Sequence, residues 1–285
     1  MRRMRFPAKY LAPFLPFLLA CAANQQVSFV PVNEAVLRLR LGAIERSNPD
    51  RFAKLKEMFE DSGCSGEQLT EKPVKGSKLP NLICALKGES EDVVIVAAHF
   101  DQVGVAEGAV DNWSGASILP SLFQSMNGQS RHLTYLFVGF TDEERGLVGS
   151  QSMVKQLGAE GLSHVKAMIN IDSIGMTPTK VWVRRSDKNL LIRLQQLANS
   201  MKLELSGMNV DGVGESDSRY FADKKVPVLD IHSVTPETMR ILHSSKDVPA
   251  AIDFANYRNT YQLIAGFLAY ADTFLTQVGE PPVSR

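Results

Sequence analysis

The chain is poor in cysteine. It has three in 285 residues, with no C-x-x-C pair and no cysteine beside a histidine. That excludes a thiolate metal site of the usual kind. It also lacks an excess of either charge, since 31 Lys and Arg stand against 31 Asp and Glu. A basic nucleic-acid surface is therefore not expected. Internal repeats and low-complexity stretches are missing. So are apolar runs of the roughly 20 residues a membrane span needs. The run YLAPFLPFLLACAA has 14 residues and holds Pro13 and Pro16. The late run NTYQLIAGFLAYA has 13, flanked by Asp253, Arg258 and Asp272, and reads as a core-packed amphipathic helix. What is present is 44% hydrophobic residues, which suits one soluble domain with a large core.

Residues 1–20 carry Arg2, Arg3, Arg5 and Lys9 and no acid. A cationic start, an apolar run and then polar NQQ read as an export signal. Removing those four cations leaves 27 against 31 acids, a mature charge of −4. Leu18-Leu19-Ala20-Cys21 resembles a bacterial lipoprotein box, in which Cys21 would be lipidated. Ala20-x-Ala22 equally suits ordinary signal peptidase. The expectation is an envelope or periplasmic protein, touching membrane only through such an anchor. Residues 21–32 then form a tether, and 33–285 one domain. Export leaves Cys64 and Cys84 as an even pair, either a disulfide or two buried thiols. A bond would close a loop contributing about 3 kcal/mol by chain entropy.

Helical patterns fall near 33–47 and 49–62, broken at Asn48-Pro49-Asp50. Strand patterns follow at 81–88, 92–101, 133–142, 165–174, 180–186 and 226–234. Several are near-continuous apolar runs, the mark of strands buried on both faces. Helical patterns near 113–126, 144–157, 187–201 and 253–276 alternate with them. The alternation predicts an α/β three-layer sandwich around a mixed, mostly parallel sheet.

Chemistry concentrates in AAHFDQVG, GAVDNWSGAS, FTDEERGLVGS, NIDSIG and ILHSSKD. These supply His99, Asp111, Glu144, Asp172 and His243, with Glu143 beside the third. Two imidazoles and three carboxylates are what a pair of zinc ions needs: one of each per metal and a carboxylate to bridge. His99 and Asp101 end a strand, where open α/β sheets gather ligands, and at period two they lean to one side. Asp101 can then hold the second ring nitrogen of His99. Each residue also has a plainer reading. Asp111 suits a helix cap, Glu143 and Glu144 suit the start of a helix, and a loop His243 suits the surface. His132 and His164 lie at strand starts and read as surface residues. His232 lies within a strand, and nothing requires it to face a site.

Taken together, these motifs resemble a co-catalytic zinc exopeptidase of metallopeptidase family 28, over about residues 81–257. The resemblance implies a ligand and its orienting acid in H-x-D, here His99 and Asp101. It implies a bridging ligand, Asp111, in D-N-x-S-G, and a cis Asp111–Asn112 peptide. It assigns a general base and then a ligand in E-E-x-G-L-x-G-S, here Glu143 and Glu144. N-x-D supplies Asp172, and the late H-x-x-x-D supplies His243. One zinc would take His99 and Asp172, the other Glu144 and His243. Gln102, Ser216-Asp217-Ser218 and Leu242-His243-Ser244 depart from the family pattern without removing a ligand. They bear on substrate preference. The implied activity is aminopeptidase action on peptides; separately, a monomer is expected. Trp113, Arg219, Tyr220 and Phe221 are candidates to line the substrate pocket. Two alternatives stay open: a single-zinc glutaminyl cyclase on the same fold, and a non-catalytic binding domain.

Overall fold

The computed structural model describes residues 29–211 and 214–276. The export segment, Cys21 and residues 22–28 of the tether lie outside the described residues. In chain order the elements are α1 (Glu34–Gly42), α2 (Asn48–Asp61), β1 (Leu69–Lys72), β2 (Asn81–Leu86), β3 (Val93–His99) and α3 (Ser114–Met126). Then come β4 (Thr134–Phe140), α4 (Val148–Ser163), β5 (Val165–Ile171), β6 (Lys180–Val181) and α5 (Lys188–Met201). The chain continues through β7 (Ser206–Gly207), α6 (Arg219–Asp223), β8 (Val228–His232) and α7 (Phe254–Phe274).

One sheet of order β1-β2-β4-β3-β5-β8-β6-β7 joins all eight strands. Its centre, β4-β3-β5-β8, is parallel, and antiparallel pairs flank it at β1-β2, β2-β4 and β6-β8. The apolar runs are continuous because the central strands bury both faces. Val94, Val96 and Ala98 of β3 face one core, packed with residues of α1, α2, α3, α5 and α7. Ile95 and Ala97 face the other, with Met153 and Val154 of α4 and Phe221 of α6. The expected three-layer arrangement is present.

Boundaries moved where local chemistry overrode the periodicity. Helix α1 stops at Gly42 rather than 47, and α2 opens on a Ser47 cap whose side chain accepts from the Asp50 N–H. The expected strand at 180–186 shortens to Lys180–Val181, because the Arg185 and Ser186 N–H groups turn back onto the Trp182 carbonyl. Cys64 and Cys84 are bonded, tying the end of α2 to β2. Among the described residues no helix is long and apolar enough to cross a membrane.

Candidate metal centre

The parallel strands deliver their carboxyl ends to one place, the position where open α/β sheets bind ligands. His99 closes β3, and Asp172 follows β5 directly. Glu143 and Glu144 lie in the turn after β4, and His243 comes from the loop between β8 and α7. His99 Nε2 is 3.2 Å from Asp111 Oδ1 and 3.8 Å from Asp172 Oδ1. His243 Nε2 is 3.1 Å from Asp111 Oδ2 and 2.9 Å from Glu144 Oε2. Asp111 therefore offers one oxygen to each imidazole. One ligand atom each from His99, Glu143 and Asp172 lies within 4.8 Å of the others, as do those of His99, Asp111 and Glu144. All five expected ligands and Glu143 thus share one cluster.

The backbone beneath it is held by other side chains. Asp101 Oδ1 sits 3.4 Å from His99 Nδ1, beside the ring as expected, but the contact is not aligned as a hydrogen bond and Nδ1 is left without a partner. Asp101 accepts from the Glu143 and Glu144 N–H groups, both at 3.1 Å. These two acids were expected to open a helix. They occupy a turn instead, because Gly146 and Leu147 take positive φ and α4 begins only at Val148. The helix-terminus reading of Glu143 and Glu144 is therefore wrong. Asp111 is likewise no helix cap; it lies in an irregular turn ahead of α3, with a cis Asp111–Asn112 peptide. The Asn112 amide donates to Ile171 O at 2.9 Å and accepts from the Gly115 and Ser173 N–H groups, locking this turn to the Asp172 segment. A Cβ at Gly115 would stand 2.4 Å from Asn112 Oδ1 and 2.5 Å from Ile171 O, so only glycine fits. Four non-glycine residues in the left-handed region, Asp142, Leu147, Ser173 and His243, belong to or border the cluster. Strained backbone gathers at functional sites because the surroundings over-determine it there.

The electrostatics show too many acids for the cations present. Burial pushes Glu143 up to about 10, aided by Asp217, Asp172 and Asp111 and opposed by His99. Burial likewise raises Glu144 and Asp217 to about 7. Hydrogen bonding to Asp111 raises His243 to about 9. For His99 burial opposes protonation, yet Glu143 and the nearby carboxylates of Asp101, Asp111 and Asp172 raise it well above its ordinary value. Asp111 is held well below the carboxylate range by His243 and His99, despite burial. Among the described residues lining the cleft, none is lysine or arginine. Divalent cations fit this donor set: imidazole nitrogens and carboxylate oxygens converge, and positive charge is what the cluster lacks.

A cavity of about 390 Å³ opens beside the cluster, with Trp182, Val210, Val234, Met239 and Leu242 among its walls. None of the four pocket residues expected from sequence lines it. Trp113 is fully buried; its Nε1 donates to Arg40 O and its ring lies 5.5 Å from the Arg51 guanidinium. The turn that presents Asp111 to the cluster sends the next side chain but one into the core. Phe221 is buried against Phe140 on the α4 face. That orientation of the short α6 leaves Arg219 outside, paired to Glu215 at 3.6 Å and set over the Tyr220 ring, and Tyr220 packed at the core edge. His132 and His164 are at least partly exposed beside Glu89 and Asp92, while His232 does line the cleft.

Two residues escaped the sequence reading. Asp247 accepts from the Val110 and Asp111 N–H groups at 2.6 and 3.2 Å, and so fixes the backbone that carries the Asp111 side chain. Its signal was the final position of H-x-x-x-D. Arg51 is fully buried in α2. Its guanidinium donates to the carbonyls of Glu45, Phe100, Glu107 and Gly108, joining the segment after His99 to the loop before Asp111. A cation at helical spacing with the core residues Leu55, Met58 and Phe59 was the signal. Arg51→Met should lower unfolding stability by about 3 kcal/mol or more, since each orphaned buried acceptor costs about 1–3 kcal/mol. Denaturant unfolding of the two proteins checks this, and a difference below ~0.5 kcal/mol, the range of an ordinary surface change, would contradict it.

An open α/β sheet carrying this cage at its carboxyl edge is a scaffold of the metallopeptidase class. The chain belongs to Peptidase family M28, whose family model matches residues 81–268. A probable leucine aminopeptidase of Arthroderma benhamiae is 30% identical over 69% of the chain, and the match spans 58% of that relative. The chain thus covers well under two thirds of that relative's length. The LapA aminopeptidase of Legionella pneumophila has the same fold: TM-score 0.70, 21% identity, 84% of this chain and 70% of that one. So does a glutaminyl cyclase from an Acidobacteriales bacterium: TM-score 0.67, 18% identity, 85% and 96%.

Proposed function

We propose that the chain is an exported aminopeptidase that removes N-terminal residues from peptides with a dinuclear zinc centre. One observation carries the reading: the two oxygens of Asp111 face His99 on one side and His243 on the other. A carboxylate placed so is suited to bridge two ions, with Asp172 and Glu144 completing the opposite ends. Names of relatives point the same way, since leucine aminopeptidase and zinc aminopeptidase recur among them. When bound, the ions would polarise the scissile carbonyl and lower the pKa of water.

The chain's own residues do the rest. Glu143 projects into the cluster without being needed as a ligand, and is placed to take the proton of the attacking water and return it to the leaving amine. Burial raises its pKa, and cationic charge in the cage would bring it down toward a working value. Asp101 fixes the backbone of both acids through the Glu143 and Glu144 N–H groups and lies close to the His99 ring, 3.4 Å from Nδ1. Trp182 forms part of the cleft wall. The cationic start, apolar run and Cys21 support export to the cell envelope.

Zinc-loaded protein should cleave aminoacyl p-nitroanilides and fail on their N-acetylated forms. Equal cleavage of both would overturn terminal specificity. A glutaminyl peptide should release glutamine; pyroglutamate as the main product would favour the cyclase reading instead.

A further inference from the structure

The cleft reaches past the cage to a polar floor that metal binding does not use. Side chains at period two on β8 bring Asp230 and His232 to the cleft, as those on β5 bring Asn170 and Asp172. Asn170 and Asp230 are register partners, so they sit side by side one step below Asp172. Ser216 joins them: its hydroxyl accepts from Asn170 Nδ2 at 2.9 Å and donates to Asp230 Oδ1. Ser218 Oγ donates to Asp230 Oδ2 at 2.6 Å. Asn170, Ser216 and Asp230 are each no more than 4% exposed.

This floor is short of donors. Among the described residues no lysine or arginine forms an ion pair with Asp230. Arg185 acts on it only through space and is itself paired to Glu215 at 3.0 Å. His232 supplies no charge either. Its Nδ1 accepts from the Val234 N–H, so Nε2 carries the proton and donates to Met208 O at 3.1 Å. Burial pushes this ring down to about 4. Asn170 Oδ1 is buried and accepts nothing. A carboxylate without a cation and an amide oxygen without a donor are both costly when buried. The walls above them, Val210, Val234, Met239 and Leu242, are apolar.

We propose, resting on the aminopeptidase reading, that this subsite selects peptides whose first residue is basic. An aliphatic stem would lie against the apolar walls, and the cationic head of lysine or arginine would reach Asp230 and Asn170 Oδ1. A leucine side chain there leaves the Asp230 charge without a cation and Asn170 Oδ1 without a donor, and a pocket built for a polar group discriminates strongly against an analogue lacking it.

The test compares lysyl, arginyl, leucyl and methionyl p-nitroanilides on the zinc-loaded enzyme. The basic substrates should exceed leucyl in kcat/KM by about tenfold or more. Asp230→Asn, which keeps shape and removes charge, should cut that ratio by ~tenfold, mainly through KM. Lysinamide should also inhibit the unaltered enzyme more tightly than leucinamide, a readout independent of how the variant folds. Leucyl hydrolysis equal to or above lysyl in the unaltered enzyme overturns the inference, as does an unchanged ratio in a folded Asp230→Asn. If the folded, zinc-loaded enzyme cleaves no aminoacyl substrate of any kind, the aminopeptidase reading itself falls.

Discussion

Glu143→Gln should fold, bind the same amount of zinc as the unaltered chain, and lose about 100- to 10,000-fold in kcat. Glutamine matches glutamate in shape but cannot accept the proton of the attacking water. The neighbouring ligand Glu144 keeps its place, since Asp101 holds both residues through their backbone N–H groups rather than their side chains. Loss of turnover with retained metal therefore isolates proton transfer from ligation. Steady-state kinetics and metal analysis on one preparation suffice. Turnover within a few fold of the unaltered enzyme would remove Glu143 as the base, and loss of zinc would recast it as a ligand.

Asp111→Ala should be more damaging to the metal. Among the described residues, Asp111 is the carboxylate within ion-pair distance of both His99 and His243, at 3.2 and 3.1 Å, so its removal should delete a donor from both ends of the cage. Loss of even a residue that merely orients a ligand costs about 10–100-fold in metal affinity, so loss of a bridge should exceed that. The Asp111 N–H would still reach Asp247, and Asn112 would still tie the turn to the Asp172 segment, so the fold should survive. Equilibrium dialysis against zinc reads the affinity. Two tightly held ions in this variant would show that Asp111 does not bridge.

Much of this was legible in the chain. The alternation of long apolar runs with amphipathic patterns fixed the layers, because strands buried on both faces must be continuous. His99 and Asp172 were legible as candidate ligands because they stand at strand ends, where a two-residue period and the direction of a parallel sheet leave little freedom; Asp111, Glu144 and His243, in turns and a loop, were placed through the family resemblance. Departures from periodicity were not. The pattern after β4 looked helical from Glu144, yet Gly146 and Leu147 reverse the backbone first. Trp113 sits one residue past Asn112 in the ligand motif, but its direction depends on an irregular turn that no period describes. Pocket residues came from segments distant in sequence: Trp182 after β6, Val210 after β7, Met239 after β8. Nothing local in those segments announces that they meet. Arg51 is the opposite case. Its helical spacing with Leu55 and Phe59 was there to be read, and a guanidinium on an apolar face signals a buried network of carbonyls.

Zinc titration of the chelator-stripped protein tests the central claim most directly. Two equivalents should bind per folded chain, and peptidase activity should return with them. Full activity in the stripped protein, or a folded chain that takes up no zinc, would contradict a metal centre built on His99, Asp111, Glu144, Asp172 and His243.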